Sequence, residues 1–307
     1  MAASIFLKSV AKKISNKIVI ADLDFGLQKG DCFAVIGANN SGKTILLKTI
    51  AGIIDVDSGE IFINGENLYS NQYELRKKIA YIPEYIDFDD NLTIYENLYI
   101  YLRLNTSLSS NDAKDKIYHW AKVFKFRKIL DYQINNLSIG KLRLIQLSRV
   151  FMHNPEFLIL DQPTKGMDPE NKSWFWSVFK TVLKESTVVY SSQDFDEIEN
   201  YSNRLAFLSE GKIRLNGTIP DIMDKTKGYG RYSIIFKNKI EPNILKKMQE
   251  NDDLYHLKIE DQKIEFYTAK KNVFFNILKE CFHYDVLDVK ISPFKLKDVF
   301  LTQVKKI

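Results

Sequence analysis

Two kinds of apolar pattern alternate along the chain: short continuous runs, and longer stretches whose apolar residues recur every third or fourth position. DCFAVIG (31–37), KIAYIP (78–83), FLILD (157–161) and TVVYSS (187–192) are the short runs. Such runs suit strands buried on both faces of a layered sheet. TILLKTIAG (44–52) follows the first run and has helical spacing, whereas RLAFLSEGKIRLNG (204–217) reads as two strands joined by a Glu-Gly-Lys hairpin turn. From Asp90 to about Pro155 the strands give way to helix, with Ile117, Trp120, Val123 and Phe124 at three- and four-residue spacing. This predicts a helical insert between sheet strands.

Past about Lys225 the rhythm changes. Tyr232, Ile234 and Phe236 alternate, which predicts a strand; PNILKKMQEN (242–251) is helical; Tyr255–Ile259 and Ile264–Phe266 read as two strands. A helix bearing Val273, Phe274, Ile277, Leu278 and Phe282 follows, then a strand over Val286–Ile291 and a last helix with Leu296, Val299, Phe300 and Val304. The order β-α-β-β-α-β-α predicts a ferredoxin-like α+β domain with one added helix. The expected division is therefore a larger α/β domain over 1–226, with its helical insert at about 90–155, and an accessory domain over 227–307.

Composition changes this picture little. A chain of 307 residues with 45% apolar and 27% charged residues is ordinary folded protein. The net charge of +5 is too small and too dispersed to call for a nucleic-acid partner. Lys8, Lys12, Lys13 and Lys17 gather near the start, which is read as a solvated surface, although a face toward anionic lipid would look similar. Cys32 and Cys281 stand far apart in apolar contexts and build neither a metal site nor a disulfide framework, which fits a reducing cytoplasm. No run approaches the roughly 20 apolar residues of a membrane span, and the N-terminus does not read as a leader.

The first strand runs into GANNSGKT, Gly37 to Thr44, and then into a helix that stops near Gly52. This is the phosphate-loop pattern in its required strand–loop–helix setting. Gly37 and Gly42 permit the turns that aim successive N–H groups inward, so that Asn39, Asn40 and Ser41 join them in a nest for anionic oxygens at a helix N-terminus. Lys43 is placed to reach the β and γ phosphates of a nucleoside triphosphate and Thr44 to put its hydroxyl on Mg²⁺. A nucleoside triphosphate with Mg²⁺ is the expected ligand, and the loop alone does not say which of many NTPase families this is; that the triphosphate is ATP is implied by the resemblance that the next segments carry.

Three further segments follow in order: NLSIGKLRLIQLSR, FLILDQPTKGMDP and VVYSSQDFDEIE. Together with the phosphate loop they resemble the motifs of ABC ATPases over about Phe6 to Thr218, and the separate C-terminal domain resembles that of bacterial exporter ATPases whose permease is a different chain. The resemblance implies an α/β P-loop ATPase core with a helical subdomain. It implies that Leu137, Ser138 and Gly140 form the signature segment, which in this family contacts the γ-phosphate held by a second ATPase subunit, whether the same chain or another; taken alone, Ser138 also reads as a helix N-cap. Asp161 is implied as the holder of the Mg²⁺ shell, Glu84 as a link between the metal site and the helical insert, and Pro163 with Gly166, Met167 and Asp168 as the segment crossing the dimer interface. The insert, with the loop through Asp90, is the implied seat for a membrane permease. A peripheral place on the cytoplasmic face of the membrane follows from the same resemblance.

Three positions depart from that pattern. Gln162 stands where the family has its catalytic glutamate, and an amide cannot accept a proton; loss of a general base typically costs about 10²–10⁴ in rate. Gln193 replaces a histidine that senses the γ-phosphate, and Ile14 replaces the aromatic that stacks on adenine. Gln162 has two explanations, a substitution made to trap ATP or a naturally weakened site; Gln193 and Ile14 favour the second, as in asymmetric dimers. The expectation is an ATPase that couples nucleotide to export, with a hydrolysis-impaired regulatory subunit as the alternative.

Overall fold

The computed structural model describes residues 4–182, 184–225 and 229–304. The chain forms two compact units, Met1–Asn216 and Gly217–Ile307. In chain order the first contains β1 (Ile5–Ile14), β2 (Lys17–Leu27), β3 (Cys32–Ile36), α1 (Lys43–Ile50), β4 (Ser58–Ile63), β5 (Glu66–Asn67), α2 (Gln72–Lys77), β6 (Ile79–Ile82), α3 (Ile94–Asn105), α4 (Ser110–Val123), α5 (Ile139–His153), β7 (Phe157–Asp161), α6 (Pro169–Val182), β8 (Thr187–Ser191), α7 (Phe195–Tyr201) and β9 (Arg204–Ser209), and it ends within β10 (Lys212–Thr218).

The short apolar runs became the central sheet, in the order β10-β9-β3-β8-β7-β6. Pairing is parallel from β9 through β3, β8 and β7 to β6. β7 and β8 are buried at every residue, which explains their unbroken apolar character. The chain after β3 emerges between β8 and β9, at the carboxyl ends of the strands, where an open α/β sheet forms its ligand crevice.

A second, antiparallel sheet, β2-β1-β4-β5, was absent from the pattern reading. Its alternation is broken by register shifts in β1 at Leu7/Val10 and beyond, which blur a period of two. Ile5, Leu7, Val10, Ile61 and Ile63 from this sheet share one core with Phe33, Leu46, Leu47, Ile159 and Val189. Each fully buried aliphatic contributes about 1.5–3 kcal/mol relative to exposure, so α1, which touches both sheets, is held from two sides.

The expected insert is α3, α4 and α5, which pack on one another. Thr93 and Glu96 close a reciprocal capping box at the start of α3, Ser109 caps α4, and Asn154 ends α5 in the left-handed conformation. Trp120 of α4 and Phe124 at its C-cap pack against Phe151 of α5 at 5.1 and 5.2 Å.

The second unit contains α8 (Ile219–Lys225), β11 (Gly230–Phe236), α9 (Pro242–Gln249), β12 (Tyr255–Glu260), β13 (Lys263–Thr268), α10 (Lys271–Cys281), β14 (Val286–Ser292) and α11 (Leu296–Val304). Its sheet runs β12-β13-β11-β14 with antiparallel neighbours, the ferredoxin-like arrangement. Ile244 and Met248 of α9 and Val273, Phe274 and Ile277 of α10 cover Tyr232, Ile234, Phe236, Ile264 and Phe266. Tyr267, on the opposite face of β13, donates to buried Asp298 of α11 at 2.8 Å.

Two expectations need correction. The units divide at Asn216/Gly217 and not after residue 226, because α8 packs with α11 in the second unit. Phe282, expected on the buried face of α10, is the exposed C-cap, 68% accessible, because the helix ends one residue earlier.

Candidate nucleotide site

The loop between β3 and α1 is shaped by close backbone approach. A Cβ at Gly37 would lie 2.3 Å from the Leu208 carbonyl oxygen, and one at Gly42, whose φ is 101°, would lie 2.8 Å from that of Val19. Asn40 also adopts a positive φ, 63°. The loop floors a cleft of about 1000 Å³ whose walls include Lys17, Ile18, Val19, Glu84, Gln162, Lys165 and Glu210.

Lys43 is 6% exposed, and its ammonium donates to the Gly37 and Ala38 carbonyls at 2.9 and 2.7 Å. Burial lowers its pKa, against the opposing fields of Asp161 and Glu84. A cation held at such a cost in desolvation suits an anionic ligand. Thr44 Oγ1 donates to Asp161 Oδ2 at 2.6 Å, and Ser191 Oγ donates to Asp161 Oδ1 at 2.6 Å. Ser41 Oγ is buried with no hydrogen-bond partner, the kind of orphan that a phosphate oxygen would satisfy. These groups fit a nucleotide triphosphate. The hard oxygens of Thr44, Asp161 and Glu84 also fit Mg²⁺; no cluster of three His, Cys, Asp or Glu among the described residues forms a self-contained metal cage, and Mg²⁺ commonly takes one or two carboxylates plus phosphate.

Gln162 follows β7 with a φ of 45°, a left-handed conformation costing about 1–3 kcal/mol for such a residue. Its N–H donates to Ser191 Oγ at 2.9 Å and its side-chain Nε2 donates to Glu84 Oε2 at 2.8 Å. Lys165 Nζ pairs with the other oxygen of Glu84. Gln193 Nε2 donates to Asn39 Oδ1 at 2.7 Å, which ties it to the phosphate loop although it does not line the cleft.

Other expected residues lie elsewhere. Ile14 ends β1 opposite Lys17 and is 41% exposed, while the cleft wall on this hairpin is Lys17, Ile18 and Val19. Ser138 Oγ caps α5 by accepting from the Lys141 N–H at 3.4 Å. Neither Ser138 nor Gly140 lines the cleft. Of the N-terminal lysines, Lys8 pairs with Glu60 and Lys12 with Asp57.

Several residues that matter were missed. Arg143, 1% exposed, donates to the carbonyls of Pro83 (2.6 Å), Asp161 (3.0 Å), Gln162 (2.7 Å) and Pro163 (2.7 Å). Gln146 donates to the Tyr85 carbonyl at 2.9 Å and to Asp87 at 2.7 Å, and Arg149 pairs with Asp87 at 2.7 Å. Glu197, 3% exposed, accepts from Thr164 Oγ1 at 2.6 Å, Trp176 Nε1 at 2.7 Å and the Ser192 hydroxyl. The signal available was polar residues at positions 143, 146 and 149, spaced by three among the apolar residues of α5.

Comparison with known proteins places this geometry. The family model described as ABC transporter matches residues 20–165. Nod factor export ATP-binding protein I of Burkholderia thailandensis is 30% identical over 227 residues, 74% of each chain. The chain belongs to the ABC transporter ATP-binding family. As a member of that family of ATPases it binds nucleotide. ATP-binding cassette sub-family A member 2 of Rattus norvegicus is 26% identical over 96% of this chain but only 12% of its own length. Among solved structures, an ATP-binding subunit of an ABC transporter superposes with a TM-score of 0.66 at 24% identity, covering 72% of this chain and 92% of that one. A dimeric ATP-binding cassette bound to ADP and Pi superposes with a TM-score of 0.65 at 20% identity, over 70% and 98%. These two show a shared cassette fold. No helix among the described residues is long and apolar enough to cross a membrane.

Proposed function

We propose that the chain is the energy-coupling subunit of an ABC exporter: ATP binds between its phosphate loop and the signature segment of a second ATPase subunit, and closure of the pair drives a partner membrane permease. The observation that carries this reading is the division of the machinery. Lys43 and Thr44 line the cleft and Asp161 is bonded to Thr44 directly behind it, whereas Ser138 and Gly140 stand outside it, so a second subunit is needed to present the signature serine to the γ-phosphate. Lys43 turns from the loop carbonyls to the β and γ phosphates, and Ser41 and the loop N–H groups take the remaining oxygens. Thr44, Asp161 and Glu84 would hold Mg²⁺, which would neutralise phosphate charge. Arg143, Gln146 and Arg149 lash the loop over Pro83–Asp87 to the insert, which supports the insert as the permease's seat. The chain then lies peripherally on the cytoplasmic face of the membrane.

The test is Lys43→Ala. Losing a desolvated cation that faces phosphate should weaken ATP binding by about 10²-fold, roughly 3 kcal/mol, and abolish ATP-dependent dimerisation. Equal affinity in equilibrium binding would sink the assignment. A second reading, a regulatory subunit that closes on ATP and leaves hydrolysis to a partner, is favoured by the amide at Gln162. Single-turnover hydrolysis at each composite site separates the two.

A further inference from the structure

β14 is an outer strand of the second unit's sheet: β11 pairs with one flank, and no strand among the described residues covers the other. A bare strand flank is a row of backbone donors and acceptors ready for another strand. Leu287 and Ile291 of β14 also stand in solvent, 69% and 66% accessible, although Val286 and Val289 of the same strand pack against the unit's core. The charges lie between the two exposed aliphatics. Asp288 and Lys290 are both exposed, flank Val289, and pair with each other at 3.4 Å. Val289 is the midpoint of Val286–Ser292. An antiparallel copy of the strand centred there sets Asp288 opposite the partner's Lys290, Lys290 opposite the partner's Asp288, and Leu287 beside the partner's Ile291. The register shift of β14 falls near its start, against Ile235 and Phe236, and leaves Asp288–Ser292 regular.

We propose that β14 is a self-association surface: two copies of this chain join antiparallel along it, centred on Val289, and their two four-stranded sheets become one. The join pairs the bare backbone groups, takes Leu287 and Ile291 out of water, and repeats each contact about a two-fold axis. Charges on an outer strand commonly keep edges apart. Here they do so only against a strand that presents like charges, because one acid and one base bracket the midpoint. The other outer strand, β12, fails the same comparison. Lys258 and Glu260 also flank an apolar residue, Ile259, but they stand at the end of the strand, so a copy centred there pairs only Lys258–Glu260. A register shift between Tyr255 and Lys258 interrupts the rest. The surface is separate from the nucleotide site, and the association needs no ATP.

The experiment uses the full chain without nucleotide. A single strand pair is a small interface, so sedimentation velocity over about 1–100 μM should show a reversible monomer–dimer equilibrium in the parent. Asp288→Lys alone and Lys290→Asp alone each set like charges opposite one another in both symmetric contacts, and each should weaken self-association about tenfold or more. An equimolar mixture of the two variants brings opposite charges together again and should dimerise about as the parent does. Circular dichroism checks that both variants are folded. A second measurement needs no substitution: amide hydrogen exchange in the parent should slow with rising concentration over Val286–Ser292 and stay constant over Tyr255–Glu260. A parent that remains monomeric at the highest concentration overturns the proposal, as do single variants that dimerise as the parent does, or folded variants whose mixture fails to recover. Exchange that slows over β14 only when the membrane partner is added also overturns it, since another chain then covers this edge.

Discussion

Replacing Arg143 with methionine should destabilise the first unit by about 3 kcal/mol, a value worked from what the guanidinium leaves behind. Four buried carbonyls, those of Pro83, Asp161, Gln162 and Pro163, lose their donor. At about 1 kcal/mol or more for each unpaired buried acceptor, the gross loss is at least about 4 kcal/mol. Against this stands the relief of desolvation. Burial pushes the Arg143 pKa down to about 10, against the opposing fields of Asp161, Asp87 and Glu84, and that penalty vanishes with the charge. Methionine also fills most of the volume with adaptable contacts. The net is about 3 kcal/mol, in line with removal of one partner from a buried charged network. For a unit of this size each kcal/mol shifts Tm by about 2–4 °C, so the expected drop is about 6–12 °C. Thermal unfolding of the full chain without nucleotide, followed by circular dichroism, measures it. ATP affinity should fall in parallel, because the two segments it holds, at Pro83 and over 161–163, place Glu84, Asp161 and Gln162. A Tm within about 2 °C of the parent would refute the reasoning, since it would mean that water or relaxed backbone satisfies those carbonyls.

Three other outcomes are expected. Burial holds the pKa of His153 below its ordinary value, only partly offset by donation from Nε2 to the Lys77 carbonyl; between the folded pKa and about 6.5 the unfolded chain binds the extra proton, so stability is complete above about pH 6.5 and falls with acidification, and His153→Gln should flatten urea midpoints compared between pH 7.5 and pH 5. Glu197→Leu strands the Trp176, Thr164 and Ser192 donors and should cost about 3 kcal/mol by urea unfolding, whereas Glu197→Gln, which keeps the oxygen that serves Thr164 and Trp176, should cost less than about half of that. Truncation after Asn216 should preserve ATP affinity, because the second unit has its own apolar core; a truncated chain that is folded by circular dichroism but binds no ATP would contradict the proposed independence of the first.

What the sequence revealed and what it concealed divide by the range of the interaction. The phosphate loop was legible because its chemistry is local: Gly37, Gly42, Lys43 and Thr44 act through consecutive backbone geometry, and a strand before and a helix after complete the pattern. The ferredoxin-like unit was legible for a similar reason, since a period of two in β11 and a helical face in α10 each state which side is buried. The antiparallel sheet was not, because bulges in β1 interrupt the period of two. The polar supports of the site were hidden by the same logic at longer range. Arg143 answers carbonyls from 18 to 60 residues away, and Glu197 answers Thr164 across 33; nothing in the local pattern distinguishes such residues from a solvated face. Yet α5 is almost wholly buried from Ile145 onward, and its apolar residues crowd around the helix without a free side for solvent. In a helix of that kind a polar residue has no water to face, and buried polar groups find partners. Arg143, Gln146 and Arg149, three apart on one stripe, therefore imply a second polar surface packed against them, and the chain has one conspicuous candidate in the acidic loop Glu84–Asp90. It is the burial of α5, and not the spacing of its polar residues, that shows this stripe to be the coupling between insert and cleft through Tyr85 and Asp87.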